Sequence, residues 1–336
     1  MPNTPVRGTQ FSRRDALRLA AVAVPAVAAM GLPGFAGIAA AAAVKPTSAT
    51  TGVPAGIRLT RHNGDIVVTT PGTILDALDI YGFVKIRAAN VAVKRCRVRG
   101  SGPGTNNTGL VDCNNANVRN ALIQDCLLVP DHPSVWLDGV IGKEYTARRC
   151  NVYNTVDGFG AYNASNRSAP TNVTIDSCYI HDLSYFSKDP NHGNGPTHND
   201  AIQIQGGANI KILGNNIQTF MSTTAGTHNY PYRNCGQGVF AQPNLAPVTG
   251  CAITGNWLDG GESNIHVVRG GLSSMNFGSV SGNRFGRHQY KFNGTSTYQI
   301  RVQRGVTFTN SLTQNYWEDS GAAFYEGKTG GIRYDA

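Results

Sequence analysis

The sequence predicts an all-β solenoid, a single-stranded parallel β-helix, on three observations. A short pattern recurs down the chain, with apolar residues flanking a Cys or an Asn. The recurrence has the length of one solenoid coil. A second strand pattern aligns across the same repeats. The first pattern reads Val93-Lys-Arg-Cys96-Arg-Val98, then repeats around Cys126, Cys150, Cys178, Asn215, Asn256, Asn283 and Asn315. The successive steps are 30, 24, 28, 37, 41, 27 and 32 residues, in the range where one repeat is a coil that cannot bury its apolar face alone. The flanking period is two, so the units are strands. Stacked coils of strands make a parallel β-helix. Small residues that bond to their own kind suit a tight bend repeated on every coil, and an Asn ladder there satisfies backbone groups above and below.

The second pattern begins at Asp138, Asp157, Asp200, Gln237, Ser263 and Tyr298. Its third position holds Val140, Phe159, Ile202, Val239, Ile265 and Ile300, and its fifth Gly142, Ala161, Ile204, Ala241, Val267 and Val302. Side chains alternate across a strand, so these two positions face the core and the fourth and sixth face solvent. The solvent positions hold Gln203, His266 and Arg301, then Lys143, Tyr162, Gln205, Gln242 and Gln303. Coils stack about 4.8 Å apart, which sets these polar side chains at roughly the spacing of groups along a sugar chain. The alternative is an ordinary solvated sheet face.

The chain resembles the right-handed parallel β-helix proteins of the pectin-lyase-like superfamily over residues 57–320. Ile180-His181-Asp182-Leu183 and Thr197-His198-Asn199-Asp200-Ala201-Ile202-Gln203 look like secreted bacterial β-helix proteins related to polysaccharide lyases. The ladder is specific for fold and weak for chemistry, because one fold hosts many functions. The paired-Asp, Gly-His-Gly and Arg-Ile-Lys motifs of polygalacturonases are absent from the sequence, as is the Arg-x-Pro-x-x-Arg motif of calcium pectate lyases. Only Val135-Trp136-Leu137-Asp138 echoes the latter.

Residues 1–43 read as a twin-arginine signal peptide, with Ser12-Arg13-Arg14-Asp15-Ala16-Leu17 before an Ala-rich apolar stretch. Residues 44–56 read as a linker and 57–336 as one β-helix domain. Export after folding implies reducing conditions during folding, so the ladder cysteines are expected as buried free thiols. The odd total of seven Cys argues against a full disulfide framework, while pairing of Cys235 with Cys251 stays open. The net charge is +9. Without the four Arg and one Asp of the signal it is +6, from 25 basic and 19 acidic residues. That balance suits an anionic partner or is plain surface charge. The expected protein is a secreted monomer that binds an acidic polysaccharide, with neither nucleic acid nor membrane as partner once the signal is cleaved.

Loop lengths locate the site. The longest gaps between a ladder residue and the next strand are neighbours, Cys178 to Asp200 and Asn215 to Gln237, each 22 residues. Such insertions lie on one face of a solenoid, often the binding face. They carry Tyr185, Phe186, Lys188 and His192, then His228, Tyr230, Tyr232 and Arg233. The resemblance implies β-elimination on a uronate polymer, which needs a neutralised carboxylate, a base for the C5 proton and an acid for the O4 leaving group. The candidates for proton transfer are Lys143, Tyr162 and His198. Those for substrate binding are Gln203, Gln205, Arg233, Gln242, His266 and Arg301. Asp138, Asp157 and Asp200 either cap strand openings through backbone amides or hold Ca2+; no other cofactor is expected. A hydrolase, an epimerase and a non-catalytic glycan-binding solenoid are the competing functions.

Overall fold

The computed structural model describes residues 44–219, 236–289 and 298–336. Three parallel sheets run the length of the chain, with ten strands in sheet A, eleven in sheet B and nine in sheet C, and a two-stranded sheet stands beside them. Each coil visits C, A and B in turn. One such coil is Ala92–Lys94, Arg97–Val98 and Thr108–Cys113, and Ala121–Gln124 opens the next. This is a parallel β-helix. Among the described residues no helix is long and apolar enough to cross a membrane.

The strand alignment expected for sheet B is the observed register. Val140 pairs with Phe159, Phe159 with Ile202, Ile202 with Val239, Val239 with Ile265 and Ile265 with Ile300. All six are fully buried. Each such side chain contributes roughly 1.5–3 kcal/mol of transfer free energy, and only stacking completes that burial.

The bend between sheets C and A is a single residue in the left-handed region. Arg95, Asp125, Arg149 and Ser177 take φ between 49° and 55°, and Gly214, Gly255 and Gly282 take the same corner at 60–69°. The ladder residue follows, and all eight are inaccessible to solvent. Asn256 shows why Asn fits. Its Oδ1 accepts the backbone N–H and the side-chain Nδ2–H of Asn215 at 2.8 and 2.9 Å, and its own Nδ2 donates to Ile212 O and Asn283 Oδ1. The thiols bond weakly, as Cys150 Sγ does to Ile123 O at 3.4 Å. Cys96, Cys126, Cys150 and Cys178 are free, as are Cys113 and Cys251. Cys235 lies outside the described residues.

A second ladder went unread in the sequence. Asn90, Asn120, Glu144, Asn172, Asn209 and Gly250 each stand six residues before a ladder residue and take φ of 50–60° at the bend from B to C. Asn120 Nδ2 donates to Asn90 Oδ1, Asn172 Nδ2 to Glu144 Oε1, and Asn209 Nδ2 to Asn172 Oδ1.

Residues 44–56 are not a free linker. They run back over the outer face of sheet A as a strap. Lys45 pairs with Glu318 at 2.6 Å, Asn216 Nδ2 donates to Pro46 O, and Gly52 N donates to Arg149 O. The segment is bound because sheet A presents polar groups, including Asn151 and Asn216, that a strap can satisfy and bury. The expected signal, residues 1–43, lies outside the described residues.

Candidate active site

The outer face of sheet B carries one continuous column in register: Asp112, Ile141, Gly160, Gln203, Phe240, His266, Arg301 and Arg333. The strand period thus places Gln203, His266 and Arg301 outward as expected. Phe240 belongs to the same column and was missed, because a lone aromatic in an apolar run reads as core. Gln205 Nε2 donates to Gln203 Oε1 at 2.5 Å, so these two amides orient each other. Gln242 is half-buried in the next coil. Arg233 lies outside the described residues, with His228, Tyr230 and Tyr232.

Lys143 does not share this face. Gly142 has φ 114°, and its backbone passes so close to Cys113 and Asn114 that a Cβ would lie 2.5 Å from them. That turn carries Lys143 inward. Its ammonium is buried and donates to Val118 O at 3.0 Å. Burial, and then Arg119, lower its pKa. The expected partnership of Lys143 with Tyr162 fails because glycine here ends the strand alternation.

Tyr162 stays on the face. A Cβ on Gly160 would lie 3.1 Å from its ring, so the ring lies back over that glycine. Burial, then Asp138 and Asp112, raise the phenol pKa. Tyr162 therefore keeps its proton at neutral pH.

His198 is exposed on the loop wall and stacks on His192, with centroids 4.2 Å apart. The loop is built for this placement. Buried Asp189 accepts from Asn191 N and His192 Nδ1, and the neck is closed by Thr197 N donating to Phe186 O and Phe186 N donating to Thr197 Oγ1. Partial desolvation, then His192, lower the His198 pKa, against Asp189 and Glu262, which raise it. The imidazole is thus neutral at pH 7 and able to accept a proton. His181 belongs elsewhere. It lies on the face of sheet A, between Tyr153 and Tyr179, bonded to Asp182 and Asn151.

Asp138, Asp157 and Asp200 form a ladder along the edge of sheet B. Asp157 accepts the amide of Asp200 at 2.8 Å and Asp200 that of Gln237 at 2.7 Å, while Gly139 N donates to Asp157 O between the first two coils. Burial comes first and the neighbouring carboxylates second in raising Asp138 and Asp200 well above the carboxylate range, while burial raises Asp157 to about 7. They succeed one another along the axis instead of converging. Among the described residues no three His, Cys, Asp or Glu side chains gather as a cation site. The column therefore fits the strand-opening role and not a calcium cage.

Arg301 is engaged by protein carboxylates. Its Nη1 lies 2.5 Å from Glu262 Oε1 and its Nε 3.0 Å from Asp335 Oδ2. The carboxylate-binding role expected for it is thus already filled from within. His266 stacks on Phe240, and its Nε2 is 4.0 Å from Asp335.

No family model matches the chain, and no curated protein matches it. Among solved structures, the A-module of the mannuronan C-5 epimerase AlgE4 of Azotobacter vinelandii is similar in fold. The TM-score is 0.36 at 11% identity, over 81% of this chain and 70% of that one.

Proposed function

We propose that this protein is an exported polysaccharide-modifying enzyme that cleaves a uronate-containing chain by β-elimination on the outer face of sheet B. One observation carries the reading. Tyr162 lies on the outer face of sheet B in the coil before the mutually bonded Gln203–Gln205 pair, and His198 lies on the loop that leads into the Gln203 strand. Coils about 4.8 Å apart match the length of one sugar.

In this scheme the Gln203 and Gln205 amides bond the substrate carboxylate and hydroxyls. His198 takes the C5 proton. The electron pair left on C5 forms the C4–C5 double bond as the C4–O4 bond breaks, and Tyr162 gives its proton to the departing oxygen. Each proton-transfer group is worth about 10²–10⁴-fold in rate. No step uses Lys143. The free thiols agree with folding before export through the twin-arginine route, which the first residues suggest.

The test is absorbance near 235 nm during incubation with alginate, polygalacturonate and glucuronan. The expected result is a rise with one polymer, lost in His198→Ala and Tyr162→Phe while binding persists. Exchange of the C5 proton into deuterated water without absorbance would make the enzyme an epimerase. New reducing ends without absorbance would make it a hydrolase. Binding without any of the three would leave a non-catalytic solenoid.

A further inference from the structure

Phe240 stands in the outward column between Gln203 and His266 and is half-buried. Its ring and the His266 imidazole stack with centroids 5.2 Å apart and planes inclined by 23°. Together they make a stacked aromatic pair that spans two coils, with Gln242 and half-buried Val268 next to it on the same outward side. Next in the column is Arg301, already paired with Glu262 and Asp335. Arg333 Nε lies 2.6 Å from the other oxygen of Asp335. Two carboxylates thus answer two guanidiniums, and the local formal charge is zero. His266 adds none, since burial and the adjacent Arg301 lower its pKa to about 4. A substrate carboxylate arriving here meets Glu262 and Asp335, and no unengaged cation of this cluster compensates it. The apolar face of a sugar ring meets an aromatic surface.

We propose that Phe240 and His266 form a subsite for an uncharged sugar ring, so that the polymer handled by this protein carries neutral residues beside its uronates. This rests on the reading of sheet B as a glycan-binding face. The Gln203–Gln205 end takes the uronate and the Phe240–His266 end its neutral neighbour, one to two coils away.

Titration calorimetry tests it with hexamers of alginate, polygalacturonate and glucuronan, each fully charged and partially carboxyl-reduced. The wild-type protein should bind a partially reduced hexamer at least as tightly as its fully charged parent. Phe240→Ala should weaken that binding about three- to tenfold, and Phe240→Leu, which keeps apolar volume without the π face, should do the same. Glu262→Gln releases Arg301 and should shift preference several-fold towards the charged hexamer. Unfolding curves of all three variants confirm that they fold. Tighter binding of the charged hexamer, or full binding by Phe240→Leu, overturns the neutral subsite while leaving the glycan face intact. Failure of every hexamer to bind the wild-type protein overturns the glycan face itself, and the subsite with it.

Discussion

The Oδ1 of Asp157 accepts the backbone amide of Asp200 at 2.8 Å, and the two carboxyls belong to one column in successive coils. Burial holds Asp157 at about 7, against an ordinary value of 3.8. A raised carboxyl pKa means that the folded state binds the proton more tightly than the unfolded chain does. The stability this proton supplies is fully present below about pH 4 and is lost as pH rises through 7. Asp157→Asn keeps an acceptor for the Asp200 amide and removes the titration. We expect it to match the wild type at pH 4 and to exceed it by roughly 3–4 kcal/mol at pH 8, measured by denaturant unfolding at the two pH values. A variant less stable than wild type at pH 8 would show that the charged ladder is stabilising.

The two halves of the interior ladder should respond differently to truncation. Asn256→Ala strands Asn215 N–H and the Ile212 carbonyl in a site without solvent. A loss of roughly 3 kcal/mol follows from leaving such groups unpaired. Cys150→Ala removes only a small apolar group with long sulfur contacts, and about 1 kcal/mol is expected. Equal losses in urea titration would deny that the Asn side chains hold the coils. In the native protein none of the six described thiols should react with a thiol reagent, and all should react after unfolding.

Lys143→Met separates structure from chemistry. The stem volume is kept and only the ammonium bonded to Val118 O is removed. Turnover should stay within about twofold of wild type, and stability should fall by roughly 1–3 kcal/mol from the unpaired carbonyl. A hundredfold loss of rate with unchanged stability would return Lys143 to the active site.

The strap can be tested at one glycine. Gly52 has φ 79°, and a Cβ there would lie 3.1 Å from the Asn151 Cβ. Gly52→Ala combines a left-handed conformation with a tight contact and should cost about 1–2 kcal/mol. Amide exchange should rise in 44–56 before it rises in sheet A. Unchanged exchange would mean that the strap tolerates the contact.

Most of the fold was legible because its determinants are local and periodic. An apolar residue at every second position, and a Cys or Asn at each coil, determined which residues of sheet B pair and which face inward. The outward placement of Gln203, His266 and Arg301 followed from that alternation alone. The second ladder at Asn90, Asn120, Asn172 and Asn209 was equally periodic, and a search at six residues before each ladder position finds it. Only the tertiary structure decided three matters. It turned Lys143 inward, because Gly142 passes too close to a neighbouring coil for the strand to continue. It engaged Arg301 with Glu262 and Asp335, since charge pairing depends on residues 39 and 34 positions away. It laid residues 44–56 against sheet A, where side chains from many coils receive them. Alternation follows from the backbone of one strand, and so the sequence by itself determined it. What a side chain touches depends on which coils lie beside it, and only stacking decides that.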